Sequence, residues 1–220
     1  GVQWQFNAWG NKYFPFADDA KFATRVLERE KLKVYRAPLV CEGGAIHVDG
    51  EGTLLTTEQT LLNPNRNPEL TRQEIEEALS LYTGIRKVIW LGDGFSDEET
   101  DGHIDNIACF AGAGRVLLGM PQFKNHPDYE PVQDAKRRLM NARDAQGRAI
   151  EVIELPQPQE ARLDTRGRPL AASYVNFYLP NGGIVMPAFN DLNDEKARAV
   201  LADCFPGRDI LQVDALDIVE

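Results

Sequence analysis

The chain has 220 residues, 43% hydrophobic and 26% charged, the balance of a folded domain and not of a disordered segment. A formal charge of -10 argues against a nucleic-acid partner, because phosphate binding draws on a basic surface that this composition does not supply. No run approaches the roughly eighteen consecutive apolar residues that cross a bilayer, and the start has neither a basic cluster nor an apolar core, so a cytoplasmic protein is expected.

Taken in chain order, the first elements are a strand over 2–6, a helix turning Phe22, Ala23, Val26 and Leu27 inward, and a strand over 33–40. Next comes a hairpin over 45–48 and 53–57, turning at Asp49-Gly50-Glu51-Gly52, where the glycines can take the positive φ of a tight turn. Thr71 with Glu74 has capping-box spacing and opens a helix with Ile75, Ala78, Leu79 and Tyr82 on one stripe; 87–91 then reads as a buried strand. The order recurs. A hairpin over 103–118 turns at Gly112-Ala113-Gly114, a helix buries Val132, Ala135, Leu139 and Ala142, and a strand covers 150–155. A third hairpin over 173–187 turns at Pro180-Asn181-Gly182-Gly183, a helix buries Ala197, Val200, Leu201 and Cys204, and a strand covers 210–213.

The pattern predicts an α/β architecture of ββαβ units, 1–43 (partial), 44–101, 102–171 and 172–220, within a single domain. Each unit is too one-sided to bury its own apolar face, so the units should pack around a shared centre like propeller blades. Both ends interrupt the pattern, and further sequence is expected on either side; a partner chain or a smaller open sheet is the alternative.

The densest polar cluster runs from Asp97 through Glu98, Glu99, Thr100, Asp101, Gly102, His103, Ile104 and Asp105 to Asn106. This stretch leads from a loop into a strand, on which His103 and Asp105 should project from one face, roughly 6–7 Å apart. Gly102 leaves room for a ligand or another backbone. A hydrogen-bonded pair at a strand end is the plain alternative. Glu42, in Cys41-Glu42-Gly43-Gly44, ends one strand beside glycines that leave space by its carboxylate, and a surface glutamate before a turn is its alternative.

Two carboxylates and an imidazole suit a planar cation. A guanidinium offers a rigid fork of N–H donors that Glu42 and Asp105 could grip, with His103 carrying protons. Displacing ammonia from its carbon takes a strong nucleophile such as a thiolate. The three cysteines form neither a disulfide framework nor a zinc motif. On a strand Cys109 would lie about 20 Å from His103. Cys41 should face away from Glu42, and Cys204 reads as helix core, so none is expected to attack. Metal binding by Glu42, His103 and Asp105 is the competing use. His47 reads as structural, His126 as part of a polar loop, and Trp4 and Trp9 as packing residues that could also line a pocket.

Trp4-Gln5-Phe6-Asn7-Ala8-Trp9-Gly10, the stretch from Glu42 to Gly50, Asn65-Arg66-Asn67-Pro68, the stretch from Glu99 to Asn106, and Ala172 to Tyr178 together resemble the agmatine deiminases of the amidinotransferase-like superfamily. The resemblance implies a pentein-type α/β propeller with pseudo-fivefold arrangement, incomplete in this chain. It implies hydrolysis of a small cationic guanidine, agmatine, to N-carbamoylputrescine and ammonia without metal or organic cofactor. It assigns Glu42 and Asp105 to the guanidinium clamp, His103 to proton transfer and Glu99 to substrate binding. It also places an Arg-Asp-Thr-Gly-Pro stretch before Gly1 and a Gly-Gly-Gly-x-x-His-Cys motif with the nucleophile after Glu220, and makes a homodimer an expectation. Peptidyl-arginine deimination and a non-catalytic propeller fragment are the other readings.

Overall fold

A computed structural model describes residues 1–96, 99–159, 163, 167 and 170–219. Asp97, Glu98 and Glu220, which entered the sequence reading, lie outside the described residues.

The chain opens with β1 (Val2–Gln5), a single turn α1 (Ala8–Asn11), helix α2 (Phe22–Arg29) and β2 (Tyr35–Val40), with β1 and β2 parallel. Then follow β3 (His47–Val48), β4 (Thr53–Thr57), the short α3 (Glu58–Leu61), α4 (Arg72–Thr83) and β5 (Lys87–Leu91). A turn of helix, α5 (Ile104–Ile107), precedes β6 (Ala108–Gly112), β7 (Arg115–Met120), α6 (Tyr129–Asn141) and β8 (Glu151–Pro156). The last described elements are β9 (Gly183–Ala188), α7 (Asp194–Cys204) and β10 (Asp209–Asp214).

Strand pairing repeats with the element order. β3 runs antiparallel to β4, and β4 pairs in parallel with β5 across α4; β6, β7 and β8 are related in the same way across α6. β9 and β10 are parallel across α7. Parallel neighbours need a crossover, and the intervening helix supplies it.

Both faces of the middle sheets are buried, which explains their unbroken apolar runs. Side chains alternate across a strand, so Leu54 and Trp90 meet α4 through Ile75 and Leu79, while Leu55, Ile89 and Leu91 meet α6 through Val132, Ala135 and Leu139. In the next sheet Val116 and Leu118 face α6, whereas Cys109, Leu117 and Leu155 face α7 through Ala197, Leu201 and Cys204. Helices and sheets therefore alternate along the chain. Among the described residues no helix is long and apolar enough to cross a membrane.

Four expectations change. The α2 stripe is not inward, since Phe22 is 68% and Val26 40% exposed. The two-stranded β1–β2 sheet is too narrow to cover it, and only Ala23, Thr24 and Leu27 are partly buried. Residues 45–48 pair only at His47 and Val48, because Gly43–Ala45 forms a 3-10 turn closed by Ala45 N–H to the Glu42 carbonyl at 3.1 Å. The first arm of the third hairpin reduces to one bridge, Tyr178 to Val185.

The fourth change touches the polar cluster. Residues 103–107 are not strand: His103 caps α5, and pairing begins at Ala108. Asp101 and Gly102 both have positive φ, and their carbonyls accept from the hydroxyls of Thr60 and Thr57 at 2.8 Å each. Those hydroxyls sit at the end of β4 and on α3, so the carbonyls are withdrawn from any ladder and the chain turns sharply. Gly102 packs against the backbone of Gly94, the close approach expected of it.

Candidate active site

Glu42 sits just past β2, and a loop side chain fixes that strand end. The Asn67 amide accepts from the Val40 N–H at 3.0 Å and donates to the Val40 and Leu61 carbonyls at 3.1 and 3.2 Å, so it acts as a one-residue strand partner. This pairing sets Arg66 beside Glu42. Arg66 donates from Nε to Glu42 Oε1 at 2.8 Å, from Nη1 to Asp101 Oδ2 and Asn65 Oδ1 at 2.7 Å each, and from Nη2 to the Thr100 carbonyl at 3.0 Å. Lys12 Nζ reaches Asp101 Oδ1 at 2.8 Å and the Glu99 carbonyl at 2.9 Å.

The other Glu42 oxygen, Oε2, lies 3.5 Å from His103 Nε2, at the outer limit for a hydrogen bond. Both side chains are nearly excluded from solvent. Charges thus alternate along Lys12, Asp101, Arg66 and Glu42 up to the His103 imidazole. Burial pushes the Glu42 carboxyl up, but the His103 imidazole and Arg66 guanidinium outweigh it and hold the group below the usual glutamate range. Burial likewise raises Asp101, and Lys12, Asn65 and Arg66 bring it below the usual aspartate range.

Gly44 brings the remaining carboxylate in. A Cβ there would stand 2.5 Å from Asp105 Oδ2 and 2.6 Å from His103 Nδ1, so both side chains press on the space that glycine leaves. Glu42, His103 and Asp105 line one cleft of about 500 Å³, together with Trp4, Trp9 and Cys41. His103 and Asp105 also line a second cleft of about 580 Å³ with Glu99, Asn176 and Tyr178. The four site residues expected from the sequence therefore border two adjoining clefts that share the His103–Asp105 wall. His103 and Asp105 share a side because one caps α5 and the other lies in its first turn, not through strand alternation.

The thiols differ from an activated nucleophile. Cys41 is buried against Leu39 and Leu61, its Sγ 3.6 Å from the Glu42 carbonyl, although it also edges the smaller cleft; burial and then the Glu42 charge push its pKa far up. Burial raises Cys109 to about 12, and Cys204 is raised in the same way. The extended-chain separation of Cys109 from His103 does not apply, because α5 intervenes; Cys109 packs toward α7. Among the described residues no group of three or more His, Cys, Asp or Glu has the arrangement of a metal site. His47 is structural as read, its Nδ1 accepting from the Phe110 N–H at 3.3 Å.

Arg66 is the residue that sequence reasoning left without a role. Its stretch, Asn65-Arg66-Asn67-Pro68, entered the sequence reading as one of those that carry the family resemblance, with no role given to the arginine.

A family model described as Porphyromonas-type peptidyl-arginine deiminase matches residues 1–220. The agmatine deiminase of Pseudomonas syringae pv. tomato is 43% identical over an alignment covering the whole chain and 65% of the relative. The structure of the agmatine deiminase of Enterococcus faecalis superposes with a TM-score of 0.94 at 39% identity, covering 100% of this chain and 66% of that one. A cysteine-to-serine variant of the C. jejuni agmatine deiminase, solved with substrate bound, superposes with a TM-score of 0.87 at 32% identity, covering 99% of this chain and 63% of that one. The chain thus spans a little under two thirds of the length of these relatives.

Proposed function

The chain belongs to the Porphyromonas-type peptidyl-arginine deiminase family, and on that premise we propose that the whole protein hydrolyses agmatine to N-carbamoylputrescine and ammonia. The observation that carries this reading is the meeting of Glu42, His103 and Asp105 around Gly44 in one cleft. The identity to agmatine deiminases favours agmatine over a peptide arginine.

Glu42 and Asp105 grip the guanidinium, whose charge and planar fork match two carboxylates. Glu99, bordering the second cleft, helps bind the substrate. A cysteine thiolate adds to the guanidinium carbon, and His103 gives a proton to the nitrogen that leaves as ammonia. His103 then takes a proton from water, the resulting hydroxide attacks the same carbon, and the thiolate departs to leave the carbamoyl product. This chemistry calls for no metal or organic cofactor.

The three thiols described above are unsuited to attack, so the nucleophile is proposed to be a cysteine in the part of the whole protein that residues 1–220 do not span. The cysteine-to-serine change in the substrate-bound C. jejuni structure supports that reading. We also read the alternating sheets and helices as blades of an α/β propeller, with units 1–43, 44–101, 102–171 and 172–220, and the strand ends of adjoining units meeting at the site.

The test is ammonia and N-carbamoylputrescine release by the purified full-length protein, with a blocked arginine amide as the competing substrate. Faster turnover of the arginine amide would replace agmatine as the substrate. No turnover of either would leave a non-catalytic protein.

A further inference from the structure

We infer that Arg66 is a positioning residue: its guanidinium binds the Glu42 carboxylate and the His103 loop into one unit, leaving Glu42 Oε2 turned toward the imidazole. The inference rests on the proposed deiminase reading and adds a residue to which that reading gives no role.

All three nitrogens of the Arg66 fork are engaged and its side chain has no solvent exposure. Two of its partners, Thr100 and Asp101, immediately precede Gly102 and His103, and a third is Glu42 itself. Arg66 therefore spans from the end of β2 to the loop that presents the imidazole, two segments that sequence separates by about sixty residues. Only a flat, branched donor set can reach a carboxylate on one edge and a carbonyl and second carboxylate on the others; a lysine has its donors at one point. A buried ion pair of this kind is rarely the most stabilising filling for its volume, since desolvation offsets much of the Coulombic gain. What it does provide is geometry and charge at a fixed point.

The charged and titratable groups around Glu42 are Arg66 on one oxygen, His103 at the other, Cys41 as its chain neighbour, Asp105 across Gly44, and Asp101 with Lys12 beyond Arg66. Arg66 is the permanently charged cation that touches the carboxylate directly. Removing it leaves the His103 imidazole alone to oppose burial and the neighbouring carboxylate, so Glu42 would take up a proton at higher pH than in the wild type. Because gripping a guanidinium needs Glu42 ionised, activity would then fail earlier on acidification.

The test uses the full-length protein as wild type, Arg66→Met and Arg66→Lys, assayed for ammonia release from agmatine as a function of pH. In Arg66→Met the acidic limb of kcat/KM is expected to move up by about one pH unit. In Arg66→Lys, which restores charge without the fork, the limb stays near wild type while kcat/KM falls roughly tenfold to a hundredfold. An unmoved limb in folded Arg66→Met, or full kcat/KM in folded Arg66→Lys, overturns the inference. Should Arg66→Met not fold, Arg66→Gln takes its place and the lysine variant still decides. If wild type releases no ammonia, the functional reading falls by itself. The NMR titration of the Glu42 carboxyl then judges Arg66 separately, and an unchanged midpoint in the uncharged variant overturns its role.

Discussion

Gly44 lies so close to Asp105 that a Cβ on it would stand 2.5 Å from the carboxylate oxygen Oδ2. Its backbone is not left-handed, so the need for glycine here is one of space alone. Gly43, its neighbour, would have nothing within 4 Å of such a Cβ. In the full-length protein Gly44→Ala is therefore expected to lower kcat/KM for agmatine by about a hundredfold, through displacement of Asp105 and His103, and Gly43→Ala to leave it near wild type. Paired ammonia assays and thermal melts check this; equal rates in the two variants would show that the placement of Asp105 does not matter.

His103→Ala should lower turnover by roughly a hundredfold to ten-thousandfold, the range for losing a general acid and base. Asp105→Asn keeps the shape but loses the charge, so KM and kcat should both suffer. Steady-state kinetics distinguish the two, and a variant with wild-type constants would remove its residue from the mechanism.

Buried thiols whose pKa is raised present little thiolate at neutral pH. Iodoacetamide should accordingly leave Cys41 and Cys109 unlabelled in the folded protein and label both after unfolding, as peptide mass mapping would reveal. Cys109→Ala should retain agmatine turnover once its lower melting point is allowed for. Loss of activity in a folded Cys109→Ala protein would reopen the search for the nucleophile within 1–220.

Glu42 and Asp101 carry folded-state carboxyls held below their ordinary range. A carboxyl of that kind contributes stability that is complete above its unfolded pKa, about 4, and lost as pH falls through the lower folded value. Thermal midpoints should therefore hold steady from neutrality to about pH 5 and drop below about pH 4. The drop should be shallower in Glu42→Gln, which starts lower because Arg66 has lost one of its two carboxylate partners. Identical acid profiles for the two proteins would exclude Glu42 as a source of the effect.

Local signals were readable where the cause is local. Thr71 and Glu74 form the complete capping box that their spacing announced, and α4 ends at Gly84 in a left-handed conformation. Strand β5 falls where its apolar run lies, and Ile75, Leu79, Val132, Ala135, Leu139, Ala197 and Leu201 are all buried. Errors arose where distant groups decide. The strand reading of His103 failed because Thr57 and Thr60 claim the carbonyls just before it, and nothing near His103 in sequence reports that. The stripe on α2 failed because amphipathic spacing states a preference and not the presence of a covering surface. Glu42 and Asp105 could be nominated from their chemistry, but the buried Arg66 that joins Glu42 to the next loop depends on Asn67 pairing with Val40, a tertiary event.

The turn at α1 has a further consequence. Ala8, Trp9, Gly10 and Asn11 all have positive φ, closed by Asn11 N–H to the Asn7 carbonyl at 2.6 Å and by Gly10 N–H to Asn7 Oδ1 at 2.9 Å. For Ala8 and Trp9 this handedness costs about 1–2 kcal/mol each, and less for Asn11, whose residue type tolerates it. Asn11→Gly would relieve what strain that residue bears, set against the added freedom of the unfolded chain. Anyone wishing to toughen this molecule against heat has a starting point there, although the turn packs on Arg66: a Cβ on Gly10 would stand 2.8 Å from its Nη1. Trp9 belongs to the same turn, but its ring borders the smaller cleft, and the same exchange at that position would trade shape for durability.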